Sequence, residues 1–301
     1  MHADRRKAYL LTGNRDPAVA KEQMGEIFIF IIGVAVSAFG TIVGFGGGVF
    51  MVPILIIVFQ YPIDMAIGSM MSALLPASLI ASFFNYRERN IDYLVASLIQ
   101  FPAFIGAVIG ALLVAFLPVL ELEFTFAFFV ILIGLYMLLS SRQKQTNEKT
   151  GMMYRFSRMP TSFIRKNHAK HLAYRLNGGL IAVFGLVSGT IAGLFGIGGG
   201  FLQTPIMIKV FNIPPQIATS TSLFILVITS LAGLATHLWL GHIEWERSLP
   251  LVAAFAIGAL GGRMLKAGRP SREGLERLIG IGLLLAGLGI IVNIVLTMGI
   301  F

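Results

Sequence analysis

The sequence predicts an all-α, polytopic membrane protein built from two inverted repeats. Of its 301 residues, 56% are hydrophobic and only 12% are charged, whereas soluble domains carry about 25% charged residues. Several apolar runs are long enough to cross a bilayer as helices. One glycine-rich segment also occurs twice, as GFGGGVFMVP at 44–53 and as GIGGGFLQTP at 196–205. Two broken apolar segments at matching positions are typical of the binding region of a transporter.

Composition excludes several other classes of protein. The chain has no cysteine, which rules out disulfides, thiolate metal sites and cysteine nucleophiles. Its histidines and carboxylates do not fall at metal-ligand spacing, so we predict neither a metal nor a cofactor. The net charge of +9 comes mainly from residues 142–175, which hold nine basic residues and one acid. A basic loop between apolar spans indicates a cytoplasmic face rather than a nucleic-acid partner.

The repeat extends well beyond the glycines. At the same offset of 152 residues, the matching pairs include Pro62 with Pro214, Ala66 with Ala218, Asp92 with Glu244, and Pro118 with Pro270. Such self-similarity indicates two structural repeats. We divide the chain into a polar N-terminal tail (1–25), a first transmembrane repeat (26–140), a basic cytoplasmic linker (141–177) and a second repeat (178–298).

Each repeat is predicted to contain four elements. A glycine-broken segment comes first, at 27–59 and at 179–210. A single helix of the first length would measure about 50 Å, which is too long for a hydrocarbon core of about 30 Å, so two shorter helices fit better. Three full spans follow in each repeat, near 66–86, 93–117 and 122–140, and near 218–240, 248–267 and 275–298.

Loop charges predict that the repeats are inverted. The loop after the third element of repeat 2 holds five basic residues and two acids within 263–277, whereas its counterpart at 111–125 holds no basic residue. Equivalent loops of opposite bias belong on opposite sides of the membrane. Each broken segment then enters and leaves on one side, with a spanning pair of helices as the alternative. The N-terminal tail conflicts with this topology, because it is placed outside yet has five basic residues against three acids in 1–24.

The glycine breaks are the candidate anion site. A helix is expected to restart at Val49 and at Phe201, and a helix start presents free N–H groups and partial positive charge to an anion. Inversion brings both starts toward the midplane, where they can hold one anion. The alternative is that these glycines serve only tight helix packing. The candidate residues here are Phe45, Gly46, Gly47, Gly48, Val49, Ile197, Gly198, Gly199, Gly200 and Phe201.

Polar side chains near the span centres extend this candidate site. Ser78 matches Ser230 and Ser69 matches Thr221 across the repeat, and hydroxyls can donate hydrogen bonds to an oxyanion. The competing interpretation is a hydroxyl bonded to the backbone of its own helix. Gln203 and Thr204 follow the second break, where the first repeat has Met51 and Val52, which indicates an asymmetric site.

Two further patterns admit two interpretations each. The GxxxG pairs Gly106/Gly110 and Gly258/Gly262 predict close helix contacts, expected within one protomer, with a homodimer seam as the alternative. His237 and His242 align with Asn85 and Asn90. A proton-handling role is open for them, but residues near the lipid headgroups are the favoured interpretation.

The duplicated glycine segments, each followed by proline, resemble those of the sulfite exporter TauE/SafE family of bacterial membrane transporters. The resemblance covers residues 26–298. It implies an inner-membrane exporter of small sulfur anions, either sulfite or an organosulfonate such as sulfoacetate. An anion channel, or a carrier for another small anion, is the alternative, and a membrane-embedded enzyme ranks third. The long basic loop departs from the family pattern and suggests contact with acidic lipid headgroups, through a surface helix or a disordered segment.

Inversion can be tested directly, because the chain has no cysteine of its own. We expect the single substitutions Leu120→Cys and Ser271→Cys to react with membrane-impermeant thiol reagents from opposite faces, because they lie in equivalent loops of the two repeats. Labelling of both from the same face would contradict inverted repeats.

Overall fold

The computed structural model describes residues 17–141, 162–167, 172–209, 211, 213–265 and 272–297. In this part of the chain, helices dominate. In order they are α1 (Pro17–Val43), α2 (Gly48–Ile57), α3 (Ile63–Arg87), α4 (Tyr93–Val114), α5 (Val119–Ser141), α6 (Gly178–Phe195), α7 (Gly200–Lys209), α8 (Pro215–Trp239), α9 (Trp245–Met264) and α10 (Arg272–Thr297).

The helices confirm a polytopic membrane protein. Six of those described are long and apolar enough to cross a membrane, namely α1, α3, α4, α5, α6 and α8. The remaining long helices are less uniformly apolar: α9 carries Glu246 in its first turn and Arg263 in its last, and the apolar part of α10 is the shorter stretch Gly280–Leu296. That α9 and α10 also cross the membrane stays a prediction.

Matching helices begin in matching ways. Both α3 and α8 follow a proline, Pro62 and Pro214, with φ −53° in each case. Helix α4 is capped by Asp92, whose carboxylate accepts hydrogen bonds from the N–H groups of Leu94 and Val95. The equivalent Glu244 precedes α9 without a side-chain cap. The local start signals therefore recur at the repeat offset, although the hydrogen bonds that satisfy them differ.

Both broken segments are interrupted where the sequence predicts. Helix α1 ends at Val43 and α2 begins at Gly48, while α6 ends at Phe195 and α7 begins at Gly200. Each second helix starts one residue earlier than the expected Val49 and Phe201, because the last glycine of each triplet already has helical geometry.

Glycines join the two halves through parallel helix pairs. On α6, Gly185, Gly189 and Gly193 lie against the backbone of Ile99, Ala103 and Ala107 on α4. Along this series of contacts the residue numbers on α4 and on α6 increase together, so the two helices run in the same direction. In the same way, Gly33 of α1 packs on Ala254 and Gly262 of α9 packs on Ala38. The first helix of each repeat thus packs against the second full span of the other.

Equivalent helices of the two repeats run antiparallel. Helices α5 and α10 meet with Gly134 against Gly280 and Leu284, and with Gly287 against Ala127 and Ile131, so one residue number rises as the other falls. Helices α3 and α8 also pack together. Met71 of α3 contacts Gly233 near the end of α8, and Asn85 near the end of α3 shares a pocket with Thr219 near the start of α8.

The GxxxG glycines work within one protomer. Gly106 and Gly110 face Leu186 and Thr190 on α6, while Gly258 and Gly262 face Val34 and Ala38 on α1. Intrachain packing, the interpretation favoured from sequence, is therefore the observed one. These glycines are committed to the fold and supply no dimer seam.

The basic linker differs from expectation where the structure describes it. Residues Ser162–Asn167 and Leu172–Asn177 form β1 and β2, a two-stranded antiparallel sheet with Ser162 opposite Asn177. The predicted surface helix, or disordered segment, is therefore wrong for these residues. Asn177, the last residue of β2, caps α6 by accepting a hydrogen bond from the N–H group of Leu180 at 3.0 Å. The remaining linker residues lie outside the described ranges.

The tight contact between α1 and α9 predicts a position-specific loss of stability. A Cβ atom at Gly262 would lie 2.9 Å from both the Cα and the carbonyl carbon of Ala38, whereas at the adjacent Gly261 nothing lies within 4 Å. We expect Gly262→Val to destabilise the protein by about 1–3 kcal/mol through overpacking, and Gly261→Val to be near neutral. Thermal unfolding in detergent checks this, and equal losses for the two variants would contradict the packing described.

Candidate functional site

The two glycine breaks lie directly against each other. Gly48 packs on the backbone of Ile197, so that a Cβ there would stand 2.7 Å from the Ile197 carbonyl oxygen. Reciprocally, a Cβ at Gly200 would stand 3.0 Å from the Gly44 carbonyl oxygen and 3.3 Å from the carbonyl carbon of Phe45. The two contacts are equivalent, because an offset of 152 residues converts Gly48 into Gly200 and Phe45 into Ile197. The breaks therefore cross where the two halves meet symmetrically.

The first break is a left-handed turn. Gly44, Gly46 and Gly47 have φ of 86°, 78° and 91°, values that side chains make costly. The Gly40 carbonyl closes this turn by accepting hydrogen bonds from three successive N–H groups, of residues 44, 45 and 46, at 2.9, 2.9 and 3.2 Å. Backbone that leaves the helix thus finds a partner inside the protein, as an apolar surrounding requires.

Two leucines occupy the space that the breaks face. A Cβ at Gly46 or at Gly198 would collide with Leu226, at 2.5 and 2.4 Å, and would approach Leu74, at 3.1 and 3.2 Å. Leu74 and Leu226 are repeat equivalents near the middles of α3 and α8, and both are fully buried. We name this pair the leucine plug.

The expected anion cradle is consequently closed in this conformation. Helix geometry leaves the first N–H groups of α2 and α7 without intrahelical acceptors. The side chains around them are buried and apolar: Phe45, Val49, Ile197 and Phe201 are each 4% exposed or less. The two helix starts therefore meet across apolar side chains, where the sequence predicted a site for one anion.

Polar side chains of α7 tie the two breaks together. Thr204 is buried and its hydroxyl donates to the Gly44 carbonyl at 3.0 Å. Gln203, fully buried, has its amide nitrogen 3.3 Å from the Ser188 hydroxyl, while its Oε1 has no hydrogen-bond partner. The first repeat has Met51 and Val52 at these positions, so this pair of hydrogen-bonding side chains belongs to the second repeat.

The remaining candidate hydroxyls are engaged elsewhere. Ser78 and Ser230 donate to Leu75 and Val227 of their own helices, at 3.0 and 3.1 Å, which is the competing interpretation given from sequence. The Ser69 hydroxyl lies 2.7 Å from that of Ser248. Thr221 accepts from the backbone N–H of Asp92 at 3.1 Å. The structure therefore brings Gln203 and Thr204 to the breaks. Of the four hydroxyls, two bond within their own helices and two bond to residues outside them.

The favoured interpretation of His237 as a headgroup-facing residue is wrong. His237 is fully buried, its Nδ1 lies 3.1 Å from Nδ1 of His242, and its Nε2 lies 3.4 Å from the Gly193 carbonyl. It fills space between α8 and the end of α6, close to the second break. Among the described residues, no group of three metal-ligating side chains comes together.

Sequence reasoning missed a small polar pocket beside the first break. Its volume is about 30 Å³, and its polar lining comprises Thr41, Asn85, Thr219, Ser220 and Arg263. Thr219 lies against Gly44: a Cβ added at Gly44 would stand 2.7 Å from the Cβ of Thr219. A sequence signal existed: the repeat equivalent of Arg263 is Ala111, and a cation without a counterpart marks an asymmetric feature. From sequence, Arg263 was assigned only to loop charge.

Membrane-length helices packed around two crossing, glycine-broken segments define a multi-pass membrane protein of the transporter class. The family described as Sulfite exporter TauE/SafE matches residues 29–290. The chain therefore belongs to that family, and it is a membrane transporter.

Individual relatives agree with this assignment. The chain is 27% identical over 247 residues to the "Probable membrane transporter protein YunE" of Bacillus subtilis, covering 79% of this chain and 88% of the relative. It is 24% identical over 216 residues to the "Probable membrane transporter protein MJ0441" of Methanocaldococcus jannaschii, covering 70% and 71%. A shorter match, 29% over 80 residues, links it to "Sulfite exporter TauE/SafE family protein 3" of Arabidopsis thaliana, covering 27% and 17%. No solved structure matches the chain.

Contact between the breaks and the leucine plug predicts energetic coupling between Gly198 and Leu226. Gly198→Ala makes a Cβ collide with the Leu226 side chain. It also places a side chain on a residue with φ 70°, a left-handed conformation that costs about 1–2 kcal/mol. We expect Leu226→Ala to relieve the collision, so that the double variant loses less stability than the two single variants together, by about 1 kcal/mol or more.

Gly199 supplies the matched control for this cycle. The three nearest atoms to a Cβ there all belong to the Gln203 side-chain amide and none to Leu226, so Gly199→Ala combined with Leu226→Ala is expected to be additive. Unfolding temperatures in detergent measure both cycles, and additivity in the Gly198 cycle would contradict the contact.

Proposed function

We propose that this transporter exports a small sulfur-containing oxyanion, either sulfite or an organosulfonate such as sulfoacetate, by alternating access. The single observation that carries the proposal is the crossing of the two glycine breaks, which gathers two helix N-termini at one point. Family membership supports the substrate class, because the family is described by sulfite export. The anion site comprises the break residues 45–49 and 197–201, together with Gln203 and Thr204.

We propose that the two repeats are inverted and that both broken segments are re-entrant. Two independent observations support this. Equivalent helices run antiparallel, α5 against α10 and α3 against α8, as a two-fold axis in the membrane plane requires. The loops at 111–125 and 263–277 also differ in charge, as opposite faces of a membrane favour. The basic linker is cytoplasmic on the same rule, and its cations face acidic lipid headgroups of the bacterial inner membrane.

The leucine plug gives alternating access its moving part. For an anion to reach the first-turn N–H groups of α2 and α7, Leu74 and Leu226 have to move apart. Helix-terminus amides and the neutral side chains Gln203 and Thr204 then hold the anion without a fixed charge, so that it can leave again. Ser69, Ser78, Thr221 and Ser230 lie on the two helices that carry the plug, and we place them along its path of movement.

Export of a monovalent anion needs no further energy source in this scheme. An inside-negative potential of about 100 mV favours its exit by about 2.3 kcal/mol. The anion channel remains the competing function. The closed leucine plug favours a carrier over an open pore, because both leucines are fully buried between the breaks.

Flux measurements in proteoliposomes test the proposal. We expect saturable sulfite counterflow, abolished by Gly47→Leu or Gly199→Leu, because those side chains would fill the space beside Val36 or Gln203 at the breaks. Gly261→Leu, in open space, is the matched control and should transport normally.

Each contrary result has a distinct meaning. Conductance without counterflow would replace the carrier by a channel. No flux of sulfite or of any sulfonate under any gradient would remove the substrate class.

A further inference from the structure

We propose that the pocket around Arg263 is the cytoplasmic loading site for the exported oxyanion, with the Arg263 guanidinium and the Asn85 amide as its principal ligands. This inference rests on the proposed function, since it supplies the entrance to the same path. We name the site, lined by Thr41, Asn85, Thr219, Ser220 and Arg263, the loading pocket.

The chemistry of the lining suits an oxyanion. One cation and four neutral polar side chains line the loading pocket, and no acidic side chain does. Asn85 is 6% exposed and Ser220 is 3% exposed, and no hydrogen bond among the described residues engages either side chain. Both side chains line the pocket, so their polar groups are available to a bound molecule. A guanidinium, an amide N–H and a hydroxyl together offer the donors that three sulfite or sulfonate oxygens accept.

Arg263 is held in place by the last turn of α3. Its guanidinium carbon stands 5.5 Å from the centroid of the Phe84 ring, and the guanidinium forms an ion pair with the Glu88 carboxylate. Glu88 also accepts from the Asn90 amide at 2.8 Å. A carboxylate presents oxygens much as a sulfonate does, so Glu88 competes with the anion for Arg263. This competition lets a fixed cation bind the anion without trapping it.

The loading pocket lies beside the first break. Thr219, on its wall, lies against Gly44. The Gly44 carbonyl in turn accepts a hydrogen bond from the Thr204 hydroxyl at 3.0 Å. Residues 44–47 then lead to the leucine plug. An anion that leaves Arg263 in this direction therefore meets the break residues next.

The polar lining of the loading pocket is not repeated at the equivalent positions of the other half. Its polar residues have non-polar repeat equivalents at four positions: Gly193 for Thr41, Ile67 for Thr219, Gly68 for Ser220 and Ala111 for Arg263. It lies where α9 ends. The same end holds the start of α10, which packs near the end of α5 through Gly280 and Leu138, and α5 leads into the basic linker. The loading pocket and the linker therefore share a face, which the charge rule makes cytoplasmic.

Sulfite flux from each face of the full-length protein in oriented proteoliposomes tests the loading pocket. We expect Arg263→Gln to raise the KM for sulfite on the linker face by about tenfold or more, with a smaller effect on kcat. Glu88→Gln should lower that KM, because it removes the competing carboxylate. If the ion pair had only a structural role, the two variants would change the KM for sulfite in the same direction.

Arg247→Gln is the matched control. Arg247 pairs with Glu244 at 3.4 Å, with both side chains exposed, and its loss should leave the KM unchanged on both faces. If Arg263→Gln does not fold, Asn85→Leu replaces it, because it removes the amide at similar volume and is also expected to raise the KM on the linker face.

The outcomes separate the two proposals. Normal sulfite transport with an unchanged KM in Arg263→Gln or Asn85→Leu, or parallel shifts in Arg263→Gln and Glu88→Gln, would overturn the loading pocket and leave the exporter standing. If the unmodified protein shows no sulfite flux, the proposed function fails. Calorimetry of sulfite binding to the detergent-solubilised protein then tests the loading pocket. We expect Arg263→Gln to weaken binding, and an unchanged affinity in that variant would overturn the loading pocket.

Discussion

Everything in this structure depends on satisfying backbone polar groups inside an apolar surrounding. A membrane helix can be interrupted only where protein shields the freed N–H and C=O groups. Here the shield for each break is the other break: Gly48 covers Ile197, Gly200 covers Phe45, and Thr204 donates to the Gly44 carbonyl. Each interruption therefore helps to shield the other, in addition to the hydrogen bonds that the first break makes within its own segment.

Small residues extend this mutual dependence over the whole molecule. The pairs α4–α6 and α1–α9 each take one helix from each half, and each brings backbones together at glycines such as Gly189 and Gly262. Without a hydrophobic driving force between helices in lipid, such close packing supplies the attraction. The two halves are consequently interleaved, and the breaks are held at a crossing that neither half positions by itself.

Sequence reasoning recovered the architecture because its signals are local or periodic. Apolar runs placed the helices within a few residues, and the offset of 152 residues identified equivalent positions before any contact was known. It failed where three-dimensional neighbours decide. No pattern in α3 or α8 shows that Leu74 and Leu226 fill the space between the breaks, and His237 lies close enough to a helix end to suggest the lipid surface. The pocket at Arg263 draws on α1, α3, α8 and α9, so only their packing reveals it.

The interleaved glycine contacts also have an evolutionary consequence. A polypeptide of half this length would expose the glycine faces of its first helix and of its second full span, since the partner of each lies in the other half. It would gain the same contacts by pairing with a second copy of itself that runs in the opposite direction. The fold is thus one that gene duplication and fusion can produce from an antiparallel homodimer. A single fused chain also lets equivalent positions differ, as Arg263 and Ala111 do.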